Sequence, residues 1–123
     1  MNSTTAPIRV LVIDDNPEIL AAVNNGLTLM GNYEVITATD GVYGLESVFT
    51  VQPDCVIVDV RMPHLNGYQF VLAMRGDPQT DQIPIIILSA LVQDRDELMG
   101  MLTGADAYLR KPCLLYTSPS PRD

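Results

Sequence analysis

Short apolar runs rich in β-branched residues alternate with longer stretches of helical periodicity along most of this chain. That alternation constrains the fold more than any other feature. Ile8–Ile13 is the first apolar run. Asn16-Pro17-Glu18 follows with an N-cap, a proline at the first helical position and an acid in the first turn. Ile19, Leu20, Val23, Leu27 and Met30 then recur at helical spacing, and Gly31-Asn32 ends them. Tyr33–Ala38 alternates like a half-exposed strand. Asp40-Gly41 opens a second helix with Leu45, Val48 and Phe49 expected on one face. Residues 55–58 form an unbroken apolar strand, and 66–75 a third helix with Phe70, Val71 and Met74 facing inward. Residues 84–88 form another buried strand, 94–103 a fourth helix weakened by Gly100, and 107–109 a short fifth strand.

Four β-α units and a closing strand imply a parallel sheet with helices on both faces. The runs at 8–13, 55–58 and 84–88 are apolar at successive positions, as central parallel strands must be. Those at 33–38 and 107–110 carry more polar residues and belong at the edges. The expected architecture is therefore an α/β, flavodoxin-like, doubly wound five-stranded parallel sheet in the order 2-1-3-4-5. A fifth helix should follow the fifth strand, but Pro119 and Pro121 forbid an ordinary helix there. The string from Cys113 to Asp123 resembles the in-frame translation of a sequencing-library adapter; the alternative is a Pro/Ser-rich linker. The expected division is an unstructured 1–7, one domain over 8–112 and a non-native tail over 113–123, with the fifth helix missing. Without that helix the chain is expected to fold poorly.

Composition narrows the function. A net charge of −8 argues against direct binding of nucleic acid or an anionic membrane. No apolar run approaches the ~20 residues of a membrane span, and the polar N-terminus is no signal peptide. Two cysteines make neither a disulfide framework nor a metal motif. A reduced, cytoplasmic location is expected.

The informative polar residues end the apolar runs: Asp14 and Asp15 the first, Asp59 the third, Ser89 the fourth and Lys111 the fifth. In a parallel sheet all these ends lie on one edge and share one crevice, where such folds bind ligands. Two carboxylates ~5 Å apart repel by about 3 kcal/mol at an effective dielectric of 20. A hard divalent cation offsets that, and Mg²⁺ characteristically takes few carboxylates, several waters and a phosphate. Lys111, the only lysine, offers an ammonium to a carboxylate or phosphoryl oxygen, and Ser89 offers a hydroxyl. The set suits phosphoryl transfer to a carboxylate nucleophile.

Val-Ile-Asp14-Asp15-Asn, Val-Ile-Val-Asp59-Val-Arg-Met-Pro-His-Leu-Asn-Gly67, Ile-Leu-Ser89-Ala90 and Gly104-Ala-Asp-Ala-Tyr108-Leu-Arg-Lys111-Pro112 resemble the signature blocks of response-regulator receiver domains. The resemblance covers about residues 8–112. It implies a two-component signalling switch in which Asp59 is the phosphoacceptor. Mg²⁺ would be held by Asp14, Asp15, Asp59 and the backbone carbonyl of Arg61. Lys111 would contact the phosphoryl group, Ser89 would move to hydrogen-bond it, and Tyr108 would report the position of Ser89. The phosphoryl donor would be a phosphohistidine on a sensor histidine kinase or phosphotransfer protein. An effector domain or protein would lie downstream. Arg61 and Leu91, two residues after Asp59 and Ser89, hold positions that tune the lifetime of the aspartyl phosphate in that family.

Each residue also has a plainer reading. Asp14-Asp15 alone is an acidic helix start, Lys111-Pro112 a surface lysine before a stop, and Ser89 an N-cap. Tyr108 alone is an edge-strand aromatic, His64 a loop residue and Cys55 a small core residue. Asp94 to Glu97 is a solvated first turn. Their common order and register favour the joint reading. An aspartate-nucleophile hydrolase of the haloacid-dehalogenase type wants a second acid two residues after its nucleophile, and Asp14 is followed by Asp15-Asn16-Pro17. A flavodoxin-like FMN binder wants a Ser/Thr/Gly-rich loop where this chain has two acids. A receiver that no longer takes phosphate would have lost site residues, and all are present here. The chain is thus expected to be a switch that catalyses its own phosphorylation and dephosphorylation rather than a metabolic enzyme.

Overall fold

The computed structural model describes residues 6–60, 65–89 and 104–110, with the backbone alone described at 89 and 107–110. Five strands, β1 (Ile8–Ile13), β2 (Tyr33–Ala38), β3 (Cys55–Asp59), β4 (Ile85–Ser89) and β5 (Ala107–Arg110), alternate with α1 (Pro17–Met30), α2 (Gly41–Val51) and α3 (Gly67–Arg75). The strands form one sheet in the order β2-β1-β3-β4-β5, and every neighbouring pair is parallel. This is the flavodoxin-like arrangement expected from the alternation. The expected fourth helix at 94–103, the place of a fifth helix, residues 1–5 and the tail at 113–123 lie outside the described residues.

Strand alternation builds two cores. Leu11, Ile13, Val56, Val58, Ile85 and Ile87 pack with Val48 of α2 and with Phe70, Val71 and Met74 of α3. Val10, Val12, Ile57 and Leu88 face the other way and pack with Leu20, Val23 and Leu27 of α1. Each such side chain stabilises the fold by about 2 kcal/mol through removal from water.

Two expected inward residues are exposed. Met30 is 63% exposed. The Ile8 amide donates to the Asn32 carbonyl at 3.0 Å, so the last turn of α1 has reached the start of β1 and little sheet remains beneath it. Phe49 is 37% exposed because α2 buries Gly41, Gly44, Ser47 and Val48 instead. A Cβ added at Gly44 would lie 2.6 Å from Ile13 Cδ1, so this helix seats through missing side chains rather than large ones. Asp59 and Ser89 end β3 and β4 as expected, and one strand start moves: β4 begins after Pro84, which has no N–H for a ladder.

The edge formed by the amino ends of the strands is tied by side chains. Asp54 accepts the Arg9 amide at 2.8 Å, and its own amide donates to the Arg9 carbonyl at 2.8 Å. Arg75, at the end of α3, donates from Nε to the Gly104 carbonyl at 2.9 Å and from Nη1 to the carbonyls of Ile83 at 2.8 Å and Asp81 at 3.1 Å. Its Nη2 meets Asp106 Oδ2 at 2.8 Å. The same carboxylate oxygen accepts the Ile85 amide at 2.8 Å. Asp106 is half-exposed, so the ion pair alone contributes little. The guanidinium's bonds to loop carbonyls carry more, because each would otherwise need water. No helix among the described residues is long and apolar enough to cross a membrane.

Candidate functional site

The opposite edge, at the carboxyl ends of the strands, gathers acids. Ile13 pairs with Val58, so the next residues of those strands, Asp14 and Asp59, stand side by side. Alternation sets both on the α1 side of the sheet, with Val12 and Ile57. Asp14 is fully buried and Asp59 is 3% exposed, whereas Asp15 faces solvent. One carboxylate oxygen from each of the three lies within 4.8 Å of the others.

Local sequence explains how Asp14 and the helix starts around it are held. The Asp14 amide donates to the Ala38 carbonyl at 3.1 Å, and Asp14 Oδ1 accepts the Asn16 amide at 2.9 Å. Asn16 caps α1 by accepting the Glu18 amide at 2.8 Å, and Pro17 occupies the first helical turn. Asp40 caps α2 through the Tyr43 amide at 2.7 Å. Asn66 and Gln69 form a reciprocal capping box on α3, with both bonds at 2.9 Å. Because each helix runs antiparallel to the strands it connects, all three described helices start at this edge. Their positive dipole ends therefore favour negative charge here.

Gly67 sets the approach of α3. A Cβ added there would lie 2.6 Å from the Asp59 carbonyl oxygen and 2.9 Å from Val60 Cα. Its amide donates to the Val60 carbonyl at 2.9 Å, and the Val60 amide donates to the Leu88 carbonyl at 3.0 Å. The residue after Asp59 is thus fixed from both sides. The sequence placed Gly67 at a helix start; that this glycine marks a close approach only packing can show.

Ser89 ends β4 one residue beyond Leu88, which pairs with Asp59. Across β5, Ser89 pairs with Arg110 and Ile87 with Tyr108. The fold therefore brings Asp14, Asp15, Asp59 and the backbone of Ser89 to one edge, with Tyr108 on the outer strand two positions before its end. Arg61, Leu91, Lys111 and His64 lie outside the described residues. Cys55 is half-buried at the far edge. Burial, and then the nearby charges of Asp106 and Asp54, push its thiol above its ordinary value, which suits a packing role.

Three hard oxygen donors this close fit a divalent cation such as Mg²⁺, and the exposed side of Asp15 leaves room for water ligands. Each carboxylate pair at this spacing repels by about 3 kcal/mol at an effective dielectric of 20.

The sequence matches the response regulator receiver domain family over residues 10–116. It is 41% identical over 111 residues to the transcriptional regulatory protein PrrA of Mycobacterium tuberculosis, covering 90% of this chain and 46% of that protein. It is 38% identical over 104 residues to the DNA-binding dual master transcriptional regulator RpaA of Synechocystis, covering 85% of this chain and 43% of that one. The chain thus spans about half the length of these curated relatives. Among solved structures, the chemotaxis protein CheY4 of Vibrio cholerae matches with a TM-score of 0.80 and 36% identity, over 87% of this chain and 88% of that one. A response regulator from Chloroflexus aurantiacus, itself only provisionally assigned, matches with a TM-score of 0.82 and 32% identity, over 86% of each chain. The family match, these relatives and the shared sheet order agree: the chain belongs to the response regulator receiver domain family of two-component signalling.

Proposed function

We propose that the chain accepts a phosphoryl group on Asp59 from a phosphohistidine carried by a sensor histidine kinase or phosphotransfer protein. The observation that carries this reading is the trio of carboxylates at the strand ends, with Asp59 buried beside Asp14. Asp14, Asp15 and Asp59, with the backbone carbonyl of Arg61, would hold Mg²⁺. When bound, the ion would screen the carboxylates and stabilise charge on the phosphoryl oxygens.

In this reading an Asp59 carboxylate oxygen attacks phosphorus, a new P–O bond forms, and the P–N bond to the donor imidazole breaks. Loss of the group reverses the gain, with water as the acceptor. Lys111 pairs with a phosphoryl oxygen, and the Ser89 hydroxyl donates to another. Movement of Ser89 changes the space open to Tyr108, which carries the change to the outer strand. Arg61 and Leu91, two residues after Asp59 and Ser89 in the sequence, set how long the acyl phosphate lasts. The added charge and acceptor oxygens bias a two-state surface, as phosphorylation does elsewhere.

The exchange is set in the cytoplasm. The names of the relatives support a transcriptional output carried by an effector domain or protein, with the −8 charge arguing against this domain gripping DNA itself. Incubation with a small acyl phosphate and Mg²⁺ tests the reading. The expected result is one added phosphoryl group on Asp59, lost with a chelator and in Asp59→Asn. Equal labelling of Asp59→Asn would overturn it.

A further inference from the structure

On the functional reading above, β5 is the most consequential of the outer strands. Among the described residues it is an edge strand that pairs only with β4. It carries Tyr108, and Lys111 follows its last residue in the chain. A one-residue slip of this strand would turn its side chains to the opposite face. A two-residue slip would carry the backbone of Tyr108 along the strand by ~6.6 Å. Either would shift the chain that leads into Lys111 relative to β4.

What specifies the register lies at the other end of the strand. Asp106, just before β5, donates its amide to the Ile85 carbonyl at 2.8 Å and accepts the Ile85 amide on Oδ2 at 2.8 Å. That reciprocal pair fastens one residue of the incoming segment to the first residue of β4. Arg75 then locks the carboxylate with Nη2, the preceding turn through the Gly104 carbonyl, and the approach to β4 through the carbonyls of Ile83 and Asp81. Gly104 has φ +106, a backbone conformation that favours glycine, and a Cβ there would lie 3.1 Å from Arg75 Cγ. One guanidinium therefore joins the end of α3, the start of β4 and the turn into β5.

We propose that Arg75, acting through Asp106, is a positioning residue for phosphoryl transfer: it sets the β4–β5 register from the edge opposite the acids and so places Tyr108 and Lys111. This rests on the functional reading above for the roles of those two residues, but the register part stands separately. The acids themselves follow β1 or end β3 and do not depend on the clasp.

The test uses the full chain with Arg75→Met, Arg75→Lys and Asp106→Asn. Three quantities are read: the rate of Mg²⁺-dependent labelling by a small acyl phosphate, Mg²⁺ affinity by calorimetry, and hydrogen exchange of the β5 amides. Arg75→Met should label about tenfold or more slowly, the size of effect that small misplacements produce. Its Mg²⁺ affinity should stay within about twofold, and the amides of 107–110 should lose protection while β1 and β3 keep theirs. Arg75→Lys should restore part of the rate, and Asp106→Asn should fall between Arg75→Met and the parent. Parental β5 protection together with a parental labelling rate in Arg75→Met would overturn the proposal. If Arg75→Met does not fold, the same parental result in both Arg75→Lys and Asp106→Asn would overturn it. A parent that fails to label would count against the functional reading instead, and β5 protection would still decide whether the clasp sets the register.

Discussion

The two edges of the sheet use acids in opposite ways. At the amino edge, Asp54 and Asp106 each close a hydrogen-bonded connection, to the Arg9 amide and to Arg75 with the Ile85 amide. At the carboxyl edge, Asp14, Asp15 and Asp59 bring three like charges within 4.8 Å. The same residue type stabilises one end and strains the other. Side chains at both edges complete backbone bonds, including the caps of Asp14, Asn16, Asp40 and Asn66 at the carboxyl edge, but only the carboxyl edge also crowds three carboxylates together. The two edges thus differ in whether their acids are paired with donors or crowded against one another.

The largest expected effect comes from removing the amino-edge clasp. Arg75→Met takes the guanidinium donor from three loop carbonyls and from a carboxylate that keeps only the Ile85 amide. Its urea unfolding free energy should fall by about 3 kcal/mol. A fall under about 0.5 kcal/mol would mean that this edge is not the stabilising one. Next is Gly67→Ala, whose Cβ would press on the Asp59 carbonyl and Val60 Cα. A loss of about 2 kcal/mol is expected, with weakened Mg²⁺ binding that Arg75→Met does not show. Calorimetric titration of both variants checks the contrast.

Caps at the carboxyl edge matter less. Asn66→Ala removes one half of the α3 capping box and should cost about 1 kcal/mol in the same unfolding measurement. The smallest effect concerns Cys55. Its thiol is held above the ordinary value of 9.0, so the folded state favours the protonated form. The associated stability is fully present below the unfolded value and is lost as pH rises through the folded one. The parent should therefore lose stability above about pH 9 more steeply than Cys55→Ala does. Alkylation of the Cys55 peptide should also be slower in folded than in unfolded protein, and equal rates would contradict the shift.

Sheet order, strand identity and the acid trio were all legible in the sequence because each rests on short-range pattern. Apolar runs mark central strands, and a parallel sheet sends every strand end to one edge, so Asp14 and Asp59 meet without any knowledge of packing. Features that depend on long-range approach were not legible. Gly44 and Gly67 matter because of what would collide with a Cβ, and no periodicity reports that. Phe49 was expected inside because it is large and apolar, yet α2 seats on its small residues. The Arg75 clasp joins positions 29 and 31 residues apart through carbonyls and one carboxylate, and its members look like ordinary surface charges in the sequence.

The most direct test of the contrast between the edges is the thermal unfolding of Asp59→Asn beside the parent, with a chelator and then with Mg²⁺. Removing one of three crowded charges should make the variant more stable than the parent in chelator. With Mg²⁺ at about 100 times its dissociation constant, the parent should gain about 2.7 kcal/mol and the variant much less, so that the order narrows or reverses. A variant less stable than the parent in chelator, or one that gains as much from Mg²⁺, would contradict the account: the carboxyl edge would then be a structural network like the one opposite it.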